Sequence, residues 1–451
     1  MVNLNWQKYP VYKSSGVEWL GDIPEHWEVK KLKYFVTINS EVLSEDTPPE
    51  YEIEYIDIGN VNEFGIVNVP QKIIFSNSPS RARRIVKQND TLISTVRSYL
   101  KAIAFIKENK NNLIASTGFA VLRPNTKTCP KYLSYLISSH SFISCVVANS
   151  KGVSYPAITP LELGNLKVPI AVSEEEQQAI ANFLDEKTAQ IDEYIAKKQR
   201  IIELLKEQKT VIINQAVTKG INPDVPMKYS GIKWLGEIPE HWEVKKLKFI
   251  VLKIGSGKTP KGGGNVYSDS GVVFLRSQNI HFDRLRLDDV VYINQLIDSK
   301  MASTRVKTND VLLNIIGASL GRCQIIPKNF PPANVNQNVC IIRPNRKFIE
   351  PSFLFGIMAS NAIQAQIFSS ENGSSQEALN FLQIANFTLG MPPEISEQKE
   401  IALFIEKKLE KIERSLTVIE KEIKLTQEYR TSLISETVTG KIDVRKYHPP
   451  Q

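Results

Sequence analysis

The sequence predicts an α+β protein written twice. Two domains of mixed, mostly antiparallel sheet with short helices are separated by two long antiparallel coiled-coil helices, in a pseudo-twofold tandem repeat. Three observations predict this: a duplicated segment, an apolar seam of period seven at the end of each copy, and short β-rich runs between them.

The duplication comes first. Residues 13–33 read KSSGVEWLGDIPEHWEVKKLK and residues 228–248 read KYSGIKWLGEIPEHWEVKKLK, identical at 17 of 21 positions at an offset of 215. Further on, VKQNDTLISTV at 86–96 matches VKTNDVLLNII at 306–316, and Arg123-Pro124-Asn125 matches Arg343-Pro344-Asn345. The segment EQQAIANFLDEKTAQID from Glu176 then matches EQKEIALFIEKKLEKIE from Glu397. A period above 200 residues is far longer than a solenoid repeat, so each copy is a domain. The ends agree while the middles diverge: the first copy has NSEVLSEDTPPE where the second has the basic, Gly-rich GSGKTPKGGGNVYSDSG. Shared ends with unlike middles imply one frame carrying two recognition surfaces.

The middles read as sheet. Residues 51–58, 91–96, 119–122, 272–275, 311–316 and 339–342 are β-rich and apolar, punctuated by Asn60, Asn89-Asp90 and Asn309-Asp310. Short helices are expected at 132–147 and 353–368.

Each copy closes on a helix. Ser173 with Glu176 forms a capping-box pattern. Leu184, Ile191, Lys198, Leu205 and Ile212 recur every seven residues with Ile195 and Ile202 between them. In the second copy Ile405, Ile412, Ile419, Thr426 and Leu433 do the same, with Leu409, Leu416 and Ile423 interleaved. A narrow seam with charged flanks must pair, and the simplest partner is the other copy. Antiparallel pairing would set the domains at opposite ends. Gly220 and Gly440 stop the helices. The expected division is 1–172, 173–220, 221–393 and 394–451.

Composition narrows the function. The chain of 451 residues is 42% hydrophobic and 23% charged, with a net charge of +8. That balance suits a polyanionic partner. No apolar run reaches the length of a membrane span, and the start has no signal-peptide core, so a cytoplasmic address follows by elimination. Cys129, Cys145, Cys323 and Cys340 lack metal-ligand spacing and read as buried free thiols.

Catalytic motifs fail one by one. Gly255-Ser256-Gly257-Lys258-Thr259 lacks the leading glycine of a phosphate-binding loop, because position 252 is Leu252, and it reads as a flexible DNA-facing turn. The Pro-Pro pairs follow Thr47, Phe330, Met391 and His448, so none forms an amino-methyltransferase tetrapeptide. Pro223-Asp224 with Glu243-Val244-Lys245 spells a nuclease-like pattern, yet Glu28-Val29-Lys30 repeats it without the Pro-Asp. His26 and His241, between Glu and Trp, read as parts of a packed turn.

Basic and amide side chains gather near the expected loops: Arg81, Arg83, Arg84, Arg97, Lys101 and Lys151, then Lys258, Lys261, Arg276, Gln278, Arg284, Arg322 and Gln376. Arginine and amides read base edges, whereas lysine mostly holds phosphate. For any one of them a solvated surface charge is the default; as a set they favour DNA. Two other classes remain open, a coiled-coil scaffold and a self-contained DNA-modifying enzyme. A scaffold would spread its basic residues evenly.

The duplicated SGxxWLGxIPEHWEVKKLK frame, the paired helices and the unlike middles together resemble the specificity subunit of type I restriction–modification systems. The resemblance covers essentially the whole chain. It implies a non-catalytic subunit in which each domain reads half of a bipartite, asymmetric site on double-stranded DNA and the helices set the spacer. It further implies docking of two methyltransferase subunits and of ATP-dependent restriction/translocase subunits, to which S-adenosylmethionine, ATP and magnesium would belong. The stretches around Gly152-Val153-Ser154 and Gly373-Ser374-Ser375-Gln376 are similar to that family's recognition-domain core, which adds Ser154 and Ser375 to the candidate DNA contacts.

Overall fold

The computed structural model describes residues 6–62, 65–66, 68–152, 155–262, 266–369 and 378–447. The chain forms two compact units, 1–198 with 420–451 and 199–419. Each unit therefore takes one half of each long helix, α1 (Glu174–Lys219) and α2 (Ile395–Val438).

In the first unit a four-stranded antiparallel sheet runs in the order 103–105, 91–94, 119–124, 36–38. Its residues alternate between two cores, as the two-residue period of a strand requires. Ile93, Ile103, Ala120 and Leu122 face the short helices and the long-helix ends, while Leu92, Ala104, Phe119 and Val121 face a second sheet. Both faces are covered, which is why Thr91–Ser94 is buried throughout. The second sheet is mixed, since 113–116 pairs parallel with 52–56. The second unit repeats the plan: Val311, Leu313 and Ile342 face helices, Leu312 and Ile341 face a three-stranded sheet, and 272–275 pairs parallel with 333–335.

The repeated motifs turn out to be joints. In VKxND, Asn89 and Asn309 take φ of 72° and 70°, and this bends the chain so that the next aspartate points inward. Asp90 then receives Arg123 Nε at 2.8 Å and Nη2 at 2.9 Å; Asp310 receives Arg343 at 2.8 and 2.7 Å. The Glu-Gln pair that opens each helix is a second joint. Gln177 accepts from Cys129 N at 2.8 Å and Gln398 from Glu350 N at 2.8 Å, tying each long helix to the first short helix of its domain.

Three expectations need correcting. Ser173 accepts from Glu176 N at 3.3 Å, but the Glu176 carboxylate turns away from the helix end to Trp27, His26 and Tyr9, so the capping box is half formed. Each expected short helix is two: Pro130–Ser138 and His140–Asn149, then Pro351–Ala359 and Asn361–Ser369. Ser139 breaks the first pair because its side chain caps Phe142 N. Only Cys323 and Cys340 are buried; Cys129 and Cys145 are half-buried.

Within each unit the long helices pair antiparallel. Asp192 meets Arg430 at 2.9 Å and Lys198 meets Glu422 at 2.7 Å in the first; Lys209 meets Glu413 at 2.5 Å in the second. Every apolar seam residue is buried or half-buried, with Leu184 at 0% exposure sunk into the domain core. Lys198 holds its seam position by bridging to Glu422 and lying over the Tyr194 ring at 5.2 Å. A polar residue in a seam disfavours slipped registers.

Candidate nucleic-acid interface

The two copies present the same turns with different side chains. At the end of the first strand of each mixed sheet, the Asn60 side chain accepts from Asp57 N and that of Asn279 from Arg276 N, both at 2.8 Å. The backbone is held alike, yet the displayed residue is an aspartate in one copy and an arginine in the other. Asp57 is paired with Arg81 at 2.7 Å. Arg276 donates to the Asp289 carbonyl at 2.9 Å.

In the second unit this turn sits beside the strand carrying Asn314, whose Nδ2 donates to Ser277 O at 2.8 Å and whose N–H donates to Arg322 O at 2.8 Å. Arg276, Gln278, Asn314 and Arg322 thus share one region. Arg276 Nε and Asn314 Oδ1 are buried without a partner among the described residues. Orphaned buried polar atoms are rare in folded proteins, and two of the four found among the described residues lie in this region. Gln278 bonds to Asp289. Lys258, Lys261 and Arg284 are exposed.

In the first unit Arg97, Lys101 and Lys151 fall together. Val96 and Lys151 each form an isolated β-bridge to Ala157, and Ser98 Oγ lies 3.0 Å from Ser150 Oγ. Arg97 stacks over Tyr155 at 4.4 Å, and Lys151 pairs with Glu162 at 2.6 Å. Arg81, Arg83 and Arg84 lie on or beside the strand Ala82–Ile85. Arg83 covers the Phe75 ring at 5.0 Å. Arg84 is half-buried, its Nε unpartnered among the described residues, and burial pulls its guanidinium below the ordinary arginine range. Ser154, Ser375 and Gln376 lie outside the described residues.

The remaining motif candidates resolve as frame. Glu243 pairs with Lys245 at 2.7 Å on a strand edge, as Glu28 does with Lys30. His26 and His241 each meet a helix glutamate at 2.9 Å. Gly257 packs against the Val335 carbonyl where no Cβ would fit, so it is a tight strand crossing and not a flexible turn. Among the described residues no group of three or more His, Cys, Asp or Glu could hold a metal ion. No helix is long and apolar enough to cross a membrane.

Sequence reasoning missed Asp57, Asn314 and Tyr155. Asn314 was within reach, because the matched VKxND segments set it against Ser94; Asp57 lies where the copies diverge, and only the turns match it to Arg276.

One frame displaying two unlike sets of polar and charged side chains, joined to paired long helices, is the arrangement expected of a subunit for DNA sequence recognition. Residues 24–206 and 239–425 each match the family described as the type I restriction modification DNA specificity domain. The chain belongs to this family, that of the specificity subunits of type I restriction–modification systems. It is 26% identical to the MjaVIII type I restriction enzyme specificity subunit of Methanocaldococcus jannaschii, covering 94% of each chain. It is 22% identical to the EcoKI specificity subunit of Escherichia coli, over 86% of this chain and 82% of that one. Its fold is similar to a chain from a type I restriction–modification assembly (TM-score 0.72, 18% identity, covering 92% and 98%). The HsdS subunit of Thermoanaerobacter tengcongensis is also similar (TM-score 0.52, 18% identity, covering 93% and 98%).

Proposed function

We propose that each unit reads one half of a bipartite, asymmetric site on double-stranded DNA, with the long helices setting the unspecified spacer. The observation that carries this reading is the pair of matched turns with opposite charges, Asp57 and Arg276, each held by an asparagine at 2.8 Å. A common frame gives both domains the same approach to a duplex, and the differing side chains make the half-sites different. Two methyltransferase subunits dock on the helical region and methylate adenine with S-adenosylmethionine. ATP- and magnesium-dependent restriction/translocase subunits join them, so this chain's part is recognition and not chemistry.

Selection of duplexes from a random pool by the chain with its methyltransferase partners tests the reading. The expected product is one motif with two unlike halves and a fixed gap. In the Arg276→Ala chain a single position of one half should relax, at a cost of about 1–3 kcal/mol. Enrichment of a single continuous motif, or of none, would contradict the proposal.

A further inference from the structure

The first copy keeps a turn in a conformation for which the second copy uses glycine. Residues Ser98–Leu100 make one turn of 3-10 helix, entered through Arg97 at φ 50° and left through Lys101 at φ 53°. Their counterparts, at an offset of 220, are Gly317 at φ 74° and Gly321 at φ 82°. Side chains with a Cβ are disfavoured in this left-handed region, and glycine is not. Strain of this kind persists where the surroundings enforce it, and it clusters at ligand clamps.

The placement of arginine changes with it. In the second copy an arginine stands at the exit of the turn, Arg322, opposite the buried Ala102 of the first. In the first copy the arginine stands at the entry. The apex differs too: Leu100 is 51% exposed where Leu320 is 8% exposed. The Arg97 guanidinium carbon lies over the Tyr155 ring, 4.4 Å from its centre, and Tyr155 is itself exposed. A guanidinium clamped on an aromatic face keeps its in-plane donors available and has less freedom to lose on binding. No acceptor for those donors occurs among the described residues.

We propose that the 97–101 turn is a base-reading head of the first unit, with Arg97 presenting its donor fork to a guanine edge of that unit's half-site. This rests on the half-site reading above. A protein bound once to each unit would meet the same turn twice. The two turns differ at both ends and at the apex, which fits two unlike DNA half-sites.

The test uses the full chain with its methyltransferase partners, in three forms: wild type, Arg97→Gly and Arg97→Lys. Thermal melting and selection of duplexes from a random pool are measured on each. Arg97→Gly relieves the backbone, so it should melt at the same or a higher temperature, keep its partners and lose discrimination at one position of one half-site by about ten- to hundredfold. Arg97→Lys keeps the strain and charge but lacks the fork. It should relax the same position with no gain in melting temperature. A lower melting temperature for Arg97→Gly would make the residue structural. Loss spread over all sequences would make it a phosphate contact, and loss of the methyltransferase would make it a protein contact. Any of these, or an unchanged motif, overturns the assignment. If the wild-type chain selects no bipartite motif, the half-site reading itself fails and this inference falls with it.

Discussion

The Glu176 carboxylate accepts a hydrogen bond from the Trp27 indole at 3.1 Å, joining the first turn of a 46-residue helix to the IPEHW segment 149 residues upstream. Glu397 and Trp242 repeat it at 3.0 Å. Glu176 also takes Tyr9 Oη at 2.7 Å and His26 at 2.9 Å, whereas Glu397 has only its histidine besides the indole among the described residues. Removing a carboxylate leaves each buried donor unpaired, at about 1–3 kcal/mol apiece. Glu176→Ala should therefore destabilise its unit more than Glu397→Ala destabilises the other. Urea unfolding followed at Trp27 and Trp242 separately checks this; equal losses would mean that Tyr9 contributes nothing.

Asp90 and Arg123 make a second joint with an internal control. Asp90 is fully buried and the Arg123 side chain is 23% exposed. Arg123→Ala strands a buried anion, and breaking such a pair costs about 3–5 kcal/mol. Asp90→Ala leaves an arginine that still reaches water and Glu41, so it should cost less. Denaturant midpoints of the two variants decide the order.

Helix ends give a third contrast. Gly220 and Gly440 both stop a long helix at φ 75°. A Cβ on Gly220 would sit 3.5 Å from Trp242, an ordinary contact, while one on Gly440 would overlap Pro24. Gly220→Ala should cost about 1 kcal/mol from the backbone alone. Gly440→Ala adds an overpacking penalty of about 1–3 kcal/mol. Equal melting shifts would show that the Pro24 segment yields freely.

Thiol reactivity reports the core. Burial pushes Cys340 up to about 12 and Cys323 higher still, so neither forms thiolate at pH 8. Alkylation of the folded chain at that pH should mark Cys129 first, then Cys145, whose thiol burial also raises. Cys323 and Cys340 should react only after unfolding, which peptide mapping resolves.

Much of this architecture was legible in the sequence, and for a physical reason. A duplication shows every frame residue twice, so IPEHW, VKxND and the Glu-Gln helix starts stand out before any role is known. Period-seven spacing likewise exposes the seam from Leu184 to Ile212. The fate of Glu176 was not legible, because a capping-box glutamate and a glutamate bound to a distant indole look identical along the chain. Nor was the break at Ser139, where one side chain caps a new helix within an apolar run. The candidate interface was the least legible part. Arg81, Arg84 and Arg97 are equal as letters, but the fold pairs the first with Asp57, half-buries the second and stacks the third on Tyr155.

We propose that this chain selects DNA sequence for an adenine-methylating complex. A map of N6-methyladenine in the native cell, with and without the gene, tests it most directly. One bipartite, asymmetric motif should lose methylation when the gene is deleted and regain it on complementation. A methylation map unchanged by the deletion would contradict it.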